Sequence, residues 1–396
     1  MKKIIRYLKK HNLQEINREI TQLDVFVFSM ISYLKFEALL LWGFKKIKIK
    51  QFAGIYRKNI YKKYDRSKRF VKFLEALEKN DRYRDLEISD FCSEIDEEKF
   101  SQFAALTITL PRNRKFISFR GTDETLVGIK EDFLWAYKEN IPSHSKAVEY
   151  LKKIIKKEDN FTYLLGGHSK GGNIAIYAGA KIDKERQEKI ESISNLDGPG
   201  FSDKFLNSLG YKRILNRCHT YIPKDSVIGL LFKRKETVSL VNSAAVGIIQ
   251  HDPYTWYFKD DNFVVVKEFE KGDDVQNETF NEIMESLTET EREDYINSIS
   301  QLFFITNKET IYDIIKINRL FRGISLFSKL SKEKKKFMRK TFWLFVKAFI
   351  LPRRKWKKIA KRRKKEEKQK KISQKWDIFC FLTKMCFCDI ILIWMK

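Results

Sequence analysis

Phe161-Thr162-Tyr163-Leu164-Leu165-Gly166-Gly167-His168-Ser169-Lys170-Gly171-Gly172 is the stretch whose reading decides the fold. An apolar, strand-like run ends in Gly-His-Ser-Lys-Gly, and helical spacing starts at once and continues to Ile182. A strand–turn–helix of this kind holds a serine at the apex of a sharp turn, its hydroxyl raised above the edge of a sheet. Backbone angles at such an apex are unfavourable, and side chains beside it would collide with neighbouring chain. Glycine two residues before and two after relieves the crowding: here Gly167 and Gly171, with Gly166 and Gly172 adding room. Ser169 is therefore a candidate nucleophile.

Working outward, Ala104–Leu110 is a β-branched, apolar run, Pro111–Arg114 a hairpin-like turn and Lys115–Phe119 a returning strand. Ser145–Lys157 has helical spacing through Ala147, Val148, Leu151, Ile154 and Ile155. Further strands are expected at Ile190–Leu196, Cys218–Ile222, Glu236–Val241 and Ala245–Ile249. Strands alternating with helices predict an α/β class: an α/β-hydrolase-like, mostly parallel sheet with helices on both faces. Ligands of such sheets bind beyond the carboxyl ends of the strands. Arg120–Asp123, Ser169, Asp197, Asp225 and His251 all fall at or beyond expected strand ends. Upstream, Thr21–Phe44 reads as a buried helix capped near Thr21, because Asp24, Lys35 and Glu37 argue against a membrane span. Residues 1–100 are expected to form a helical segment packed on a core of residues 101–270. A helical extension follows at 271–328, then a basic, aromatic-rich tail at 329–396.

A serine hydroxyl is a weak nucleophile until a base takes its proton and a third group orients that base. Of the five histidines, His168 stands in the elbow, His144 precedes the elbow strand, His11 lies in the charged N-terminus and His219 inside a strand. His251 follows an apolar run, at a strand-end loop reading His251-Asp252-Pro253-Tyr254-Thr255-Trp256, and is the expected base. Two carboxylates compete to orient it. Asp197 opens an Asp-Gly-Pro-Gly turn, where such a side chain often caps local N–H groups, and Asp225 follows the next strand. Both keep the chain order Ser…Asp…His, and spacing favours Asp225 only slightly. The negative oxygen of a tetrahedral intermediate needs fixed donors. The expected ones are the backbone N–H of Lys170, at a helix start, and that of Thr122 in Arg120-Gly121-Thr122. Residues 123–143, with Phe133, Trp135 and Tyr137, read as a lid. This chemistry calls for no metal or organic cofactor.

Phe119-Arg120-Gly121-Thr122, Gly167-His168-Ser169-Lys170-Gly171, Asp197-Gly198-Pro199-Gly200-Phe201, Asp225-Ser226-Val227 and His251–Trp256 occur in one order. Together they resemble a bacterial family of α/β-hydrolases distantly similar to the class 3, fungal-type lipases, over about Thr21 to Phe258. The resemblance implies cleavage of carboxylic esters, lipid esters in particular, with Ser169 as nucleophile and His251 as base. It implies Asp225, in an Asp-x-Val segment, as the acid, with Thr122 as an oxyanion donor. Gly121, Asp123, His168, Asp197, Gly198 and Pro199 are then read as shaping the pocket. Two features depart from that pattern. Lys170 replaces an apolar residue, which either favours anionic substrates or leaves the cation facing solvent. The chain also opens without the export signal usual among those lipases.

The formal net charge is +27, and residues 329–375 alone carry 22 Lys or Arg against 3 Glu. A block of like charge usually serves as an interaction arm. Lys340–Leu351 gathers Phe342, Trp343, Phe345 and Phe349 between clusters of Lys and Arg, the pattern of an interfacial helix on an anionic membrane. A nucleic acid is the weaker alternative partner for this tail. Trp376–Met395 is apolar, but Asp377, Lys384 and Asp389 argue against a stable span. Five cysteines without regular spacing argue against a disulfide framework and for a reducing compartment. The expected location is the cytoplasm or the inner face of the membrane. Two rival readings are a catalytically inactive scaffold of the same fold and a nucleic-acid-binding protein acting through the tail.

Overall fold

The computed structural model describes residues 2–10, 19–60, 68–123, 125, 127–128, 131–132, 140–224, 226, 228–245 and 247–266. All belong to the first of the two units into which the chain divides, Met1–Ala348 and Phe349–Lys396. The helical extension and basic tail expected at 271–396, the aromatic residues Phe133, Trp135 and Tyr137, and Asp225 lie outside the described residues.

One sheet holds eight strands in sequence order. They are β1 (Lys46–Lys48), β2 (Glu87–Asp96), β3 (Ser101–Leu110), β4 (Arg114–Phe119), β5 (Thr162–His168), β6 (Ile190–Leu196), β7 (Cys218–Pro223) and β8 (Thr237–Val241). The first three pairings are antiparallel and the four from β4 to β8 are parallel. Arg112 and Asn113 turn the β3–β4 hairpin with positive φ, as a tight hairpin requires.

Side-chain alternation along the strands feeds two separate cores. In β5, Leu164 faces one core while Tyr163 and Leu165 face the other; in β4, Phe116 and Ile117 divide likewise. The first core is closed by α1 (Lys2–Lys10), α2 (Gln22–Ile31), α3 (Glu37–Leu41), α4 (Ile49–Ile55) and α5 (Lys68–Glu78). The second is closed by α6 (Pro142–Ile154), α7 (Lys170–Lys181) and α10 (Leu209–Ile214), with the short α8 (Lys184–Glu188) and α9 (Asp203–Leu206) between the last two. The architecture is that of an α/β-hydrolase: a mostly parallel sheet covered on both faces.

Two expectations change. The first 100 residues are not purely helical, since β1 and β2 extend the sheet by two antiparallel strands. The β2 residues are mostly half-buried or exposed and its register shifts between Ser89 and Cys92, so no clean alternation marks it in the sequence. Ala245–Ile249, expected as a strand, leads instead into a 3₁₀ turn at Gly247–His251. A five-residue apolar run cannot distinguish these by periodicity.

Residues at the start of α2 show how the N-terminal segment is fastened. Thr21 and Asp24 form a reciprocal cap, with the Asp24 N–H donating to the Thr21 hydroxyl and the Thr21 N–H to the Asp24 carboxylate. The same buried carboxylate accepts from Arg82 Nε at 2.7 Å and from the Tyr83 hydroxyl at 2.9 Å. Asp24 thus joins α2 to the turn before β2. Asp24→Ala removes the acceptor from a guanidinium and a phenol at once. We expect a loss of about 3–5 kcal/mol in urea unfolding, with a lower midpoint.

Candidate active site

Ser169 sits between β5 and α7 with φ 58° and ψ −130°, a conformation costly for any residue with a side chain. The turn survives because β4 runs hard against it. A Cβ on Gly171 would stand 2.2 Å from the Phe119 carbonyl oxygen, and one on Gly167 2.5 Å from the same atom. The Ser169 N–H donates to the Leu196 carbonyl at 2.8 Å, tying the apex to the end of β6.

His251 reaches this serine from 82 residues away, its Nε2 lying 2.9 Å from Ser169 Oγ. Its loop is held by the aromatic pair that follows it. The Tyr254 ring packs nearly perpendicular to those of Phe26 and Phe73, and the buried Trp256 indole donates to the Gln250 carbonyl at 2.8 Å. His168 completes the clamp. Its Nε2 lies 2.7 Å from the His251 carbonyl, which can only accept, so Nε2 carries the proton. Nδ1 then accepts from the Tyr33 hydroxyl at 3.0 Å. Burial foremost, then the neighbouring His251, holds the His168 pKa well below the ordinary range, so this imidazole is neutral.

His251 Nδ1 donates to Asp197 Oδ2 at 2.7 Å. The carboxylate seen on the imidazole is that of Asp197; Asp225, the expected orienting acid, lies outside the described residues. Asp197 has φ 55° and is wholly buried, so its side chain leaves the end of β6 toward the histidine loop. The local cap that the sequence reading gave to Asp197 is supplied by Asn195, whose Oδ1 accepts from the Gly198 N–H at 2.8 Å. Ser226, next to Asp225, donates to the other Asp197 oxygen at 2.6 Å. The residue after Asp225 thus supports the Asp197 carboxylate.

The opposite wall starts at Arg120. Its buried guanidinium bonds the Ser32 and Leu34 carbonyls and the Glu37 carboxylate, fastening the loop after β4 to the α2–α3 junction. Gly121 passes so close to the elbow that a Cβ there would lie 2.4 Å from the His168 carbonyl oxygen. The Thr122 hydroxyl lies 2.6 and 2.7 Å from the two oxygens of Asp132. Burial raises the Asp132 pKa to about 6, opposed in part by Lys170 and by the Thr122 hydroxyl.

Lys170 faces neither solvent nor substrate. Its ammonium is buried and donates to Glu131 Oε2 at 2.6 Å, to Gln102 Oε1 at 2.9 Å and to the Gln102 carbonyl at 3.0 Å. Glu131 also accepts from the Gln102 and Ser143 backbone N–H groups, so this buried charge is fully engaged. The sequence reading did not single out Glu131 or Asp132. Their only signal was two adjacent carboxylates in the loop after Thr122, and nothing local revealed that a lysine 39 residues on would reach one of them.

The remaining expected residues hold the walls. Asp123 Oδ1 accepts from the Thr125 N–H at 2.9 Å. A Cβ on Gly198 would lie 2.3 Å from the Ser169 carbonyl oxygen, and the Pro199 carbonyl accepts from Asn173. His144 belongs to the core. It stacks on Tyr177 with ring centroids 3.9 Å apart, donates from Nε2 to Asn173 Oδ1 at 2.8 Å, and burial lowers its pKa to about 3. His219 pairs with Ser239 within the sheet.

The class is now defined: an α/β-hydrolase-fold protein in which serine, imidazole and carboxylate form one hydrogen-bonded chain at the strand ends. Residues 77–303, more than half of the chain, match the sequence profile of the Mbeg1-like family, and the chain belongs to that family. No curated protein matches the sequence. Among solved structures it is similar to MDLA from Penicillium cyclopium, in a mutant form, with 12% identity over 62% of this chain and 85% of that one at TM-score 0.35. Lipase II from Rhizopus niveus shows 14% identity over 46% and 72% at TM-score 0.29. A lipase from Rhizopus microsporus var. chinensis shows 13% identity over 50% and 77% at TM-score 0.30. Likenesses this loose carry no functional weight; strand order and the elbow define the fold here.

Lys170→Met should leave the Glu131 carboxylate buried beside no cation and cost about 3–5 kcal/mol in chemical denaturation. The double variant Lys170→Met/Glu131→Met should recover most of that loss. Asp132 sets a pH dependence of stability. Because folding raises its pKa from 3.8 to about 6, its contribution is greatest below pH 4 and is lost as pH rises through 6. Asp132→Asn keeps an oxygen for the Thr122 hydroxyl and removes the titration. Relative to wild type it should gain on the order of 1–2 kcal/mol between pH 4 and pH 7, measured by urea melts across that range.

Proposed function

We propose that this protein is a serine hydrolase that cleaves carboxylic esters, lipid esters in particular. The observation that carries the reading is the continuous chain from Ser169 Oγ through His251 to Asp197, with contacts of 2.9 and 2.7 Å. Ser169 attacks the ester carbonyl while His251 Nε2 takes its proton. Asp197 keeps the proton of Nδ1 in place and stabilises the imidazolium that forms. The imidazolium returns its proton to the leaving alcohol, and water repeats the sequence on the acyl-enzyme.

The oxyanion meets the backbone N–H of Lys170, in the first turn of α7, and that of Thr122. The Thr122 hydroxyl has one proton, and Asp132 holds it. That leaves the main-chain N–H as the Thr122 donor, with the hydroxyl fixing the loop. Lys170 contributes through its backbone, while its side chain anchors Gln102 and Glu131 behind the site.

A fluorophosphonate probe tests this on the full-length protein. Ser169 should be labelled, and Ser169→Ala should abolish the signal. Asp197→Asn should slow ester turnover by about ten-thousand-fold, the scale expected when the imidazole loses its orienting carboxylate. Asp225→Asn should slow it by less than about tenfold. Absence of labelling in well-folded protein would sink the reading and leave a binding scaffold.

A further inference from the structure

We propose that the apolar tip at the end of α3 is a docking site for an anionic lipid surface. The tip is Leu40-Leu41-Trp42-Gly43-Phe44. Its four side chains are 39%, 77%, 44% and 37% exposed, although the helix from which they project is anchored in the core through Ala38 and Leu39. Contiguous exposure of this kind marks an interaction surface, whereas scattered single apolar residues do not.

The exposure is fixed by the backbone. The Gly43 N–H donates to the Leu40 carbonyl at 3.0 Å and the Phe44 N–H to the Leu39 carbonyl at 2.9 Å, with Gly43 at φ 75°. These paired bonds close a Schellman end, which holds the last turn and the residue after it in one conformation. The apolar side chains are thus presented by an ordered cap.

Chemistry selects the occupant. Directly after the tip in the chain come Lys45, Lys46, Lys48 and Lys50. In β1 the two lysines point outward while Ile47 points in. Acidic neighbours are present. Lys46 pairs with Glu87 at 3.2 Å, while Lys48 and Lys50 pair with Asp85 at 3.5 and 2.7 Å. These pairs are solvent-exposed and worth little, so the lysines can exchange partners at small cost. An apolar tip that includes a tryptophan and is followed in the chain by four cations fits an acyl boundary under an anionic headgroup layer. A protein–protein interface fits less well, since lysine is depleted there. Keeping other strands off the sheet edge accounts for Lys46 and Lys48, but not for the exposed Leu, Trp and Phe.

Anchorage gives the tip a purpose. Its helix starts at Glu37, whose carboxylate bonds Arg120 and the Ser93 hydroxyl. Arg120 begins the loop that carries Thr122. A five-residue helix is about 7–8 Å long, so a lipid layer touching the tip lies close to the wall of the Ser169 site. Docking itself does not require the esterase reading.

The test uses full-length Ser169→Ala protein, so that no lipid is consumed, with vesicles of phosphatidylcholine containing about one-third phosphatidylglycerol. Leu41→Asp should weaken vesicle binding by about tenfold or more, with an unchanged circular dichroism spectrum. Vesicles of brominated lipid should quench part of the tryptophan emission, and Trp42→Phe, which keeps an aromatic ring, should lack that quenched part. Unchanged affinity in Leu41→Asp together with equal quenching in Trp42→Phe overturns the proposal, because another part of the chain then carries the binding. Self-association abolished by Leu41→Asp, with no vesicle binding by the parent, also overturns it and assigns the tip to a second copy of this chain.

Discussion

The backbone reversal at Ser169 is the constraint on which the site depends. A serine at φ 58° is tolerated because the surrounding chain leaves it no alternative. The Phe119 carbonyl abuts Gly167 and Gly171, and the Leu196 carbonyl takes the Ser169 N–H. Three neighbouring strands, β4, β5 and β6, thereby end at one point. The loops that follow β4 and β6 carry Thr122 and Asp197, so the geometry that strains the serine also delivers both to its sides. His168 extends the same logic to the fourth loop by binding the His251 main chain.

Buried charge is used here to join segments that are distant along the chain. Asp24 with Arg82 joins α2 to the turn before β2, while Arg120 with Glu37 and Lys170 with Glu131 each connect one loop of the site to a supporting element. Such pairs add little net stability over well-packed apolar groups, because desolvation offsets most of the attraction. What they provide is commitment, since a charged group stranded in the interior costs several kcal/mol. A loop fastened this way has one low-energy position. Asp132 is the exception: a carboxylate with no cation of its own among the described residues, and burial foremost raises its pKa to about 6.

The two aspartates show where reading by motif reaches its limit. Asp197 and Asp225 both follow parallel strands, and both precede His251 in the chain. The resemblance to the fungal-type lipases selected Asp225, whereas the fold brings Asp197 to the imidazole and places Ser226 behind it. Either carboxylate on the imidazole preserves the chain order of the three groups. Order along the sequence therefore could not choose between them.

The elbow and the parallel strands were legible in the sequence because each is specified locally. Glycines at fixed offsets from Ser169 and alternating apolar runs dictate their own conformation within a few residues, whereas the His251 loop also needs Phe26, Phe73 and His168 against it. Strand β2 was hidden because its mixed burial and shifted register erase the period-two signal. The partner of Lys170, the carboxylate that meets His251 and the rigid display of Leu41 and Trp42 were decided only by tertiary structure. Each depends on which groups from remote segments arrive within about 3 Å of one another, or on which side chains stay exposed among the described residues, and a one-dimensional pattern carries neither distance nor exposure.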